Sequence, residues 1–172
     1  MLGDCHRRIE RFLRVLIVVT EQAHGGELNA ELREALEIAL RYFREAAPKN
    51  TADEEDSLFP QLRVCGHPEA TQVLTVLEGL EHDHDAATQG HAEIERLGRR
   101  WLHDGRLSPN DTEQLASQLR TLEAIYTRHI AVEDGDLFPL ARRVLTPAAL
   151  AALGRAMALR HGLDPDAPPP AL

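Results

Sequence analysis

Residues 129–139 read His-Ile-Ala-Val-Glu-Asp-Gly-Asp-Leu-Phe-Pro, and residues 50–60, 79 positions earlier, read Asn-Thr-Ala-Asp-Glu-Glu-Asp-Ser-Leu-Phe-Pro. In both phrases Leu-Phe-Pro begins four residues after a glutamate. The phrase at 129–139 begins with His129, whereas the phrase at 50–60 begins with Asn50. Side chains four residues apart share one face of a helix, so His129 and Glu133 can point at one cation. Two such helices facing each other would bring two carboxylates into the core of a bundle. The repeat therefore predicts a helical bundle with a metal site.

Bulk composition agrees with a single all-α domain. The 172 residues are enough for a substantial core, and 43% hydrophobic with 27% charged residues is ordinary for a globular protein. Aromatic residues make up only 4%, whereas the good helix formers Ala, Leu, Glu and Arg are abundant. The formal charge of −9 argues against a nucleic-acid partner, which would require clustered Lys and Arg.

Features of the chain that report on its compartment predict a cytoplasmic protein without a membrane partner. Cys5 and Cys65 form no Cys-x-x-Cys motif, and two cysteines are too few to stabilise a protein of this size through disulfide bonds, so we expect both to be reduced. The apolar run 12–19 contains Arg14 and is too short to span a bilayer. The first residues do not have the pattern of an export signal.

Apolar periodicity and helix-stop residues predict an antiparallel up-down four-helix bundle, with a short C-terminal helix and a disordered Pro-rich tail. Residues 1–162 would form the bundle domain and residues 163–172 the tail. The predicted helices span about 4–22, 29–60 with a break at Pro48, 69–102, 108–144 with a bend near Gly135 and Pro139, and 147–160.

The positions of the histidines along the predicted helices indicate which of them face the interior of the bundle. His6 begins an apolar helix face, and His84 and His91 lie two turns apart on one face of the third helix. His82 lies about 200° around that helix from His84, so only one of the two can face inward, and the leucines on the face of His84 favour that residue. We expect the other histidines at the surface or in loops: His24, His67, His103 and His161.

Imidazole and carboxylate groups together suit iron and manganese as well as zinc, and a carboxylate can bridge two cations. The absence of cysteine from the candidate set argues against a structural zinc site. The predicted metal ligands are His6, Glu54, His84, His91, His129 and Glu133.

These motifs resemble the hemerythrin-like family, also described as the HHE cation-binding domain. The resemblance covers about residues 4–145 and includes the stretch from Cys5 to Leu13 and both Leu-Phe-Pro phrases. It implies a non-haem centre of two iron ions, bridged by carboxylates, with or without an oxo or hydroxo bridge. One iron would take His6 and a histidine at position 50, the other His84 and His129, and Glu54 and Glu133 would bridge the two.

Asn50 departs from the family pattern, because a neutral amide is a weaker and shorter ligand than imidazole. Three outcomes are open: recruitment of His91, replacement by Glu55 or water, or loss of one metal ion. We favour a dinuclear centre with altered coordination. Tyr126, one turn before His129, either borders the site or packs in the core.

Proteins of this family bind or sense dioxygen, sense iron, respond to nitric oxide or decompose peroxide. The leading hypothesis is a di-iron protein that binds or reacts with dioxygen or a related small oxidant, namely peroxide or nitric oxide. An open position near Asn50 would favour peroxidase-, catalase- or oxidase-like chemistry over reversible carriage, and whether the protein is an enzyme stays open. The alternatives are an iron or redox sensor without catalysis and a structural bundle with a degenerate metal site; the sequence indicates no particular protein partner.

Overall fold

The computed structural model describes residues 2–164, and every regular element within them is helical. The predicted tail falls mostly on residues 165–172, which lie outside the described part of the chain. The elements are α1 (Leu2–Ala23), α2 (Ala30–Glu45), α3 (Ala47–Asp53), α4 (Phe59–Val64), α5 (Pro68–Gln72), α6 (Leu74–Asp104), α7 (Pro109–Val132), α8 (Phe138–Val144) and α9 (Pro147–Arg160), with π-helical turns at Glu54–Leu58 (the first π turn) and Glu133–Leu137 (the second π turn).

The long helices α1, α2, α6 and α7 form a bundle in which each packs against two others: α1 and α6 both contact α2 and α7. Their facing sides bury leucines to exposures of 3% or less, among them Leu13, Leu36, Leu97 and Leu122. At Gly98 the helices α6 and α2 approach so closely that an added Cβ would lie 2.7 Å from Leu40 Cδ1. The all-helical prediction is confirmed. No helix within residues 2–164 is both long and apolar enough to cross a membrane.

Capping residues fix the helix ends where the sequence indicated. The Asn29 and Ser108 side chains accept hydrogen bonds from the backbone N–H groups of Leu32 and Asp111, at 2.8 and 3.1 Å. Thr146 caps α9 in the same way. Gly105 ends α6 in the left-handed conformation, with φ of 76°, which a residue without Cβ adopts easily.

Two predicted boundaries were wrong. The helical run expected to end at Pro60 continues to Val64: Pro60 lies in the first turn of α4, directly after the first π turn, and removes one backbone hydrogen bond there without ending the helix. The third helix is not continuous from Glu69: the non-helical ψ of 3° at Val73 separates α5 from α6.

The repeated Glu-x-x-x-Leu-Phe-Pro phrase forms a π turn in both copies. The backbone N–H of Phe59 donates to the carbonyl of Glu54, five residues back, and Phe138 makes the same bond to Glu133. The proline that follows each phenylalanine has no N–H to donate, so a regular α turn would already be short of one bond there. π turns are rare and concentrate at functional sites. Each candidate carboxylate therefore begins a widened turn.

A second apolar cluster lies beyond the π turns and ties α9 to the bundle. It joins Leu58 and Phe59 to Phe138 of α8 and to Leu153 and Met157 of α9. Contacts of α9 with both α3 and the first π turn place its last residues beside the segment that carries Glu54.

Candidate metal centre

Five of the six predicted ligands converge in two groups that share Glu54. One group holds Glu54, His84 and His129, the other holds His6, Glu54 and Glu133, and the ligand atoms of each group lie within 4.8 Å of one another. All five side chains are buried, and both glutamates have an exposure of 0%. The residues come from three of the four bundle helices, α1, α6 and α7, and from the two π turns, so distant parts of the chain assemble the site.

Short distances link the two groups. His84 Nε2 lies 3.0 Å from Glu54 Oε2, and His129 Nε2 lies 3.2 Å from Glu133 Oε2. His6 Nε2 lies 3.1 Å from Glu133 Oε2 and 3.8 Å from Glu54 Oε1. The Nε2 atoms of His84 and His129 are themselves 3.1 Å apart. Nitrogen and oxygen donors thus face a common centre from several directions.

The donor set fits a cation. Several buried atoms within residues 2–164 make no hydrogen bond of good geometry, although donor and acceptor atoms lie 3.0 and 3.1 Å apart at His84–Glu54 and His6–Glu133: these atoms are His6 Nε2, Glu54 Oε2 and both side-chain oxygens of Glu133. Burying such groups without compensation is costly, and buried charges in proteins are normally paired or coordinate metals. A divalent cation would compensate them together, and imidazole with carboxylate is the ligand combination that iron, manganese and zinc accept.

Two of the histidines are oriented by carboxylates on their outer nitrogens. His84 Nδ1 lies 2.7 Å from Glu55 Oε1, and His6 Nδ1 lies 3.1 Å from Asp134 Oδ1. Such pairing fixes the ring and leaves Nε2 for the cation. Glu55 and Asp134 each follow one of the two candidate bridging glutamates, so the repeat encodes this outer contact too. The sequence interpretation missed Asp134, although its position in the repeat was a usable signal.

Asp83 lies near the outer nitrogen of the third histidine but makes no hydrogen bond to it. Its Oδ2 lies 3.6 Å from His129 Nδ1, and its other oxygen is bound by Arg128. Asp83 is buried and directly precedes His84 in the chain. The sequence interpretation missed this residue as well, since an aspartate among several charged neighbours reads as part of a solvated face.

Asn50 occupies the position relative to Glu54 that His129 occupies relative to Glu133. Its Nδ2 donates to Glu54 Oε1 at 2.6 Å, while its buried Oδ1 has no hydrogen-bond partner. The amide therefore orients the shared carboxylate. Glu55 is held at the outer nitrogen of His84, and the structure does not bring it into either group.

His91 stands apart from both groups. Its Nε2 lies 2.7 Å from the hydroxyl of Tyr126, and its ring stacks on Phe43 with centroids 4.3 Å apart. The two-turn separation from His84, about 10 Å along the helix, explains why it does not join the ligand cluster. Both His91 and Tyr126 line a cavity that also reaches His6, His84 and His129. Tyr126 therefore borders the site.

The pKa values of His6 and His84 are raised by neighbouring carboxylates. Burial alone would lower the pKa of His6, but hydrogen bonds and charges from Glu133 and Glu54 outweigh it and raise that pKa to about 10. Burial likewise opposes protonation of His84, yet Glu54 and Glu55 raise its pKa to about 9. Both shifts favour the charged form of the imidazoles, and the neighbouring carboxylates are the cause.

The histidines outside the centre mostly follow expectation. His82 is exposed while His84 is buried, as the helical angle predicted. His24 and His103 are also exposed, and His67, in the loop before α5, is half-buried. His161 was predicted to face solvent, and that was wrong: its Nε2 lies 2.8 Å from Oδ2 of the buried Asp53.

A helical bundle with histidines and glutamates buried around two linked donor groups defines a class of cation-binding proteins. Residues 1–141 match the family model of the hemerythrin HHE cation binding domain, and the chain belongs to this family. The chain is also similar to an uncharacterized protein of Haemophilus influenzae, with 29% identity over 171 residues that cover 94% of this chain and 88% of the relative.

Proposed function

We propose that this chain is a cytoplasmic di-iron protein that binds or reacts with dioxygen or a related small oxidant, peroxide or nitric oxide. The observation that carries the proposal is the position of Glu54, which belongs to both groups of ligand atoms. A carboxylate with an oxygen in each group is suited to bridge two cations. Membership of a cation-binding family supports the same interpretation.

Within this proposal, each residue has a definable task. His6, His84 and His129 would hold the ions together with Glu54 and Glu133, in an antiparallel bundle whose rigidity fixes their separation. Bound iron would supply Lewis acidity and one-electron chemistry. The carboxylates on the outer nitrogens would orient the imidazoles and make them better donors.

The two halves of the centre are unequal. His84 and His129 share one group, whereas His6 is the only histidine of the other. Asn50, on the side of His6, donates to Glu54 and lines the cavity. We infer that an ion held by His6, Glu54 and Glu133 would have one imidazole fewer than the family pattern supplies, because Asn50 stands at that position, and that this would favour peroxidase- or oxidase-like activity over simple carriage.

A sensor function is the second candidate, because one structural contact could transmit the state of the metal. The buried Asp53, next to Glu54, is held by Arg160 and His161 at the end of α9. A shift of Glu54 on metal binding would act directly on this contact. The protein would then bind iron without turning over an oxidant.

The test uses the full chain purified in air, with iron and other metals quantified per chain. We expect about two iron ions per chain, as in other di-iron bundles. Glu54→Gln should lose most of the iron, whereas Glu78→Gln, at an exposed position of α6, should keep it. A Glu54→Gln variant with wild-type iron content would contradict the proposed centre.

Peroxide consumption then separates the candidate functions. Iron-loaded wild-type protein should consume hydrogen peroxide, and Glu133→Ala should not. Full iron content without consumption of peroxide or binding of dioxygen or nitric oxide would favour the sensor. Unchanged stability after chelation, with no iron bound, would indicate a degenerate site.

A further inference from the structure

Tyr126 and His91 form a hydrogen-bonded pair outside the two groups of candidate ligands. The Tyr126 hydroxyl lies 2.7 Å from His91 Nε2, and the centroids of the two rings are 5.8 Å apart. Both side chains are half-buried, and they come from α7 and α6, which pack against each other. A phenol and an imidazole at this distance can exchange a proton without a movement of either ring.

The direction of this hydrogen bond follows from the groups that each arrangement leaves without a partner. If Tyr126 donates to His91 Nε2, the imidazole proton is on Nδ1, and that N–H is the one group of the pair without a partner within residues 2–164. In the reverse arrangement, both Nδ1 and the phenol proton would lack a partner there. Because an unpaired buried polar group is costly, we assign Tyr126 as the donor and His91 as the acceptor.

Burial favours the protonation state of each partner that a proton transfer from phenol to imidazole requires. It raises the pKa of Tyr126, which favours the phenol over the phenolate. It lowers the pKa of His91 to about 4, which favours the neutral imidazole with a free lone pair on Nε2. A phenol that loses one electron becomes strongly acidic, so its proton passes to the base that already accepts its hydrogen bond.

The pair lies beside the candidate metal centre. Tyr126 precedes the candidate ligand His129 by three residues in α7, and side chains at this spacing are neighbours, with Cβ atoms about 5–6 Å apart. Tyr126, His91 and His129 all line the cavity described above. The phenol is therefore placed to exchange an electron with an ion bound at the centre.

The chain has one other tyrosine, and it lacks this arrangement. Tyr42 stacks on Phe12 with ring centroids 4.3 Å apart and packs edge-on against Phe43, but its hydroxyl has no hydrogen-bond partner within the described residues. Burial raises the pKa of Tyr42 to about 12, so its phenol form is favoured as well. Tyr42 is therefore a natural control, a phenol without a proton acceptor.

We propose that Tyr126 is a redox-active residue that gives one electron to the metal centre during peroxide reduction, while its hydroxyl proton moves to His91 Nε2. The inference rests on the proposed di-iron function and adds to it an electron donor within the protein. Reduction of one hydrogen peroxide molecule to two water molecules breaks the O–O bond and takes up two electrons and two protons. One electron comes from a ferrous ion, which becomes ferric, and the other from Tyr126. Both protons come from solvent, because the Tyr126 proton stays on His91, and the products in the protein are a neutral tyrosyl radical and an imidazolium.

The test mixes the full chain, loaded with ferrous iron, with hydrogen peroxide and freezes it for electron paramagnetic resonance. We expect a tyrosyl radical signal in the wild type and in Tyr42→Phe, and none in Tyr126→Phe. His91→Phe keeps an aromatic ring but removes the proton acceptor, and should weaken the signal by roughly tenfold or more. In the wild type, electron-nuclear double resonance should detect an exchangeable proton coupled to the radical oxygen, the one now on His91.

A second measurement makes the pair testable without iron. Illumination of the chelated full chain with a ruthenium polypyridyl sensitiser and persulfate removes single electrons from protein side chains. We expect a tyrosyl radical in the wild type and in Tyr42→Phe, and its loss in Tyr126→Phe. A tyrosyl signal of wild-type size in Tyr126→Phe would place the radical on Tyr42 and overturn the proposal.

The two measurements keep this inference distinguishable from the proposed function. Wild-type protein that binds iron and consumes peroxide without forming a radical on Tyr126 would overturn the inference and leave the di-iron function standing. A Tyr126 radical in the illuminated protein, together with failure of the chain to bind iron, would support the redox pair and count against the di-iron function.

Discussion

Replacing Arg160 with methionine should destabilise the protein far more than an ordinary surface substitution. The Asp53 side chain is only 1% exposed, and Arg160, itself 23% exposed, lies in direct ion-pair contact with it. Removing one partner of a buried pair strands a charge and typically costs about 3–5 kcal/mol. His161 Nε2 remains 2.8 Å from the same carboxylate, so we expect the lower end, about 3 kcal/mol.

Thermal and urea denaturation of the chelated protein would measure this loss. For a chain of this length, about 3 kcal/mol corresponds to a fall of roughly 6–12 °C in Tm. The matched control is Arg143→Met: Arg143 Nη2 lies 3.1 Å from Glu69, but both side chains are more than half exposed. Such a surface pair contributes about 0–1 kcal/mol, so the control should stay near wild type.

A double-mutant cycle isolates the pair itself. Asp53→Asn removes the buried charge, so adding Arg160→Met to it should cost about 2 kcal/mol less than the same change in the wild type. If Arg160→Met destabilises no more than Arg143→Met, or if the two changes at Asp53 and Arg160 are additive, the buried charge does not depend on α9 and the reasoning is refuted.

Three further predictions follow from pKa values and packing. The pKa values of His6 and His84 are raised to about 10 and 9, so iron must displace a proton from each imidazole. The apparent affinity of the protein for iron should therefore rise with pH towards 9–10, and iron binding in weak buffer should release protons. Burial lowers the pKa of His91 from 6.5 to about 4, so the neutral imidazole contributes fully to the free energy of unfolding above pH 6.5. That contribution, up to about 3 kcal/mol, is lost as the pH falls to 4. The free energy of unfolding of His91→Phe should depend less on pH over this range. Gly98→Ala should lower Tm, because the new methyl group meets the buried Leu40. Gly79→Ala, in the same helix but with open space around it, should raise the free energy of unfolding by about 1 kcal/mol. Equal effects at the two glycines would contradict this packing.

Much of the metal centre was accessible from sequence because helical spacing is a strong geometric constraint. An imidazole and a carboxylate four residues apart share a face, and the apolar neighbours of His84 showed which of two nearby histidines turns inward. The candidate ligands His6, Glu54, His84, His129 and Glu133 lie close together in the structure.

Residues whose roles depend on tertiary contacts were not accessible in this way. Asp83 lies near an imidazole of another helix, and nothing local distinguishes it from a surface acid, whereas Asp134 could have been found only by comparing the two copies of the repeat. His161 lies 108 positions from the aspartate it contacts, beyond any helical periodicity. The two-turn separation of His91 from His84 was visible in the sequence, but helical spacing did not show that the other candidate ligand atoms gather at the level of His84.

The π turns make the repeated phrase a transferable unit. A histidine and a glutamate grafted four residues apart onto an ideal α-helix would lack the widened turn at the carboxylate and the acidic residue after it that engages a histidine of another helix. A designer who moves this chemistry to a new scaffold should therefore transplant the phrase through its proline, so that the carboxylate, its bend and its outer contact travel together. Copying the ligands alone would reproduce a sequence motif but not the backbone that presents it.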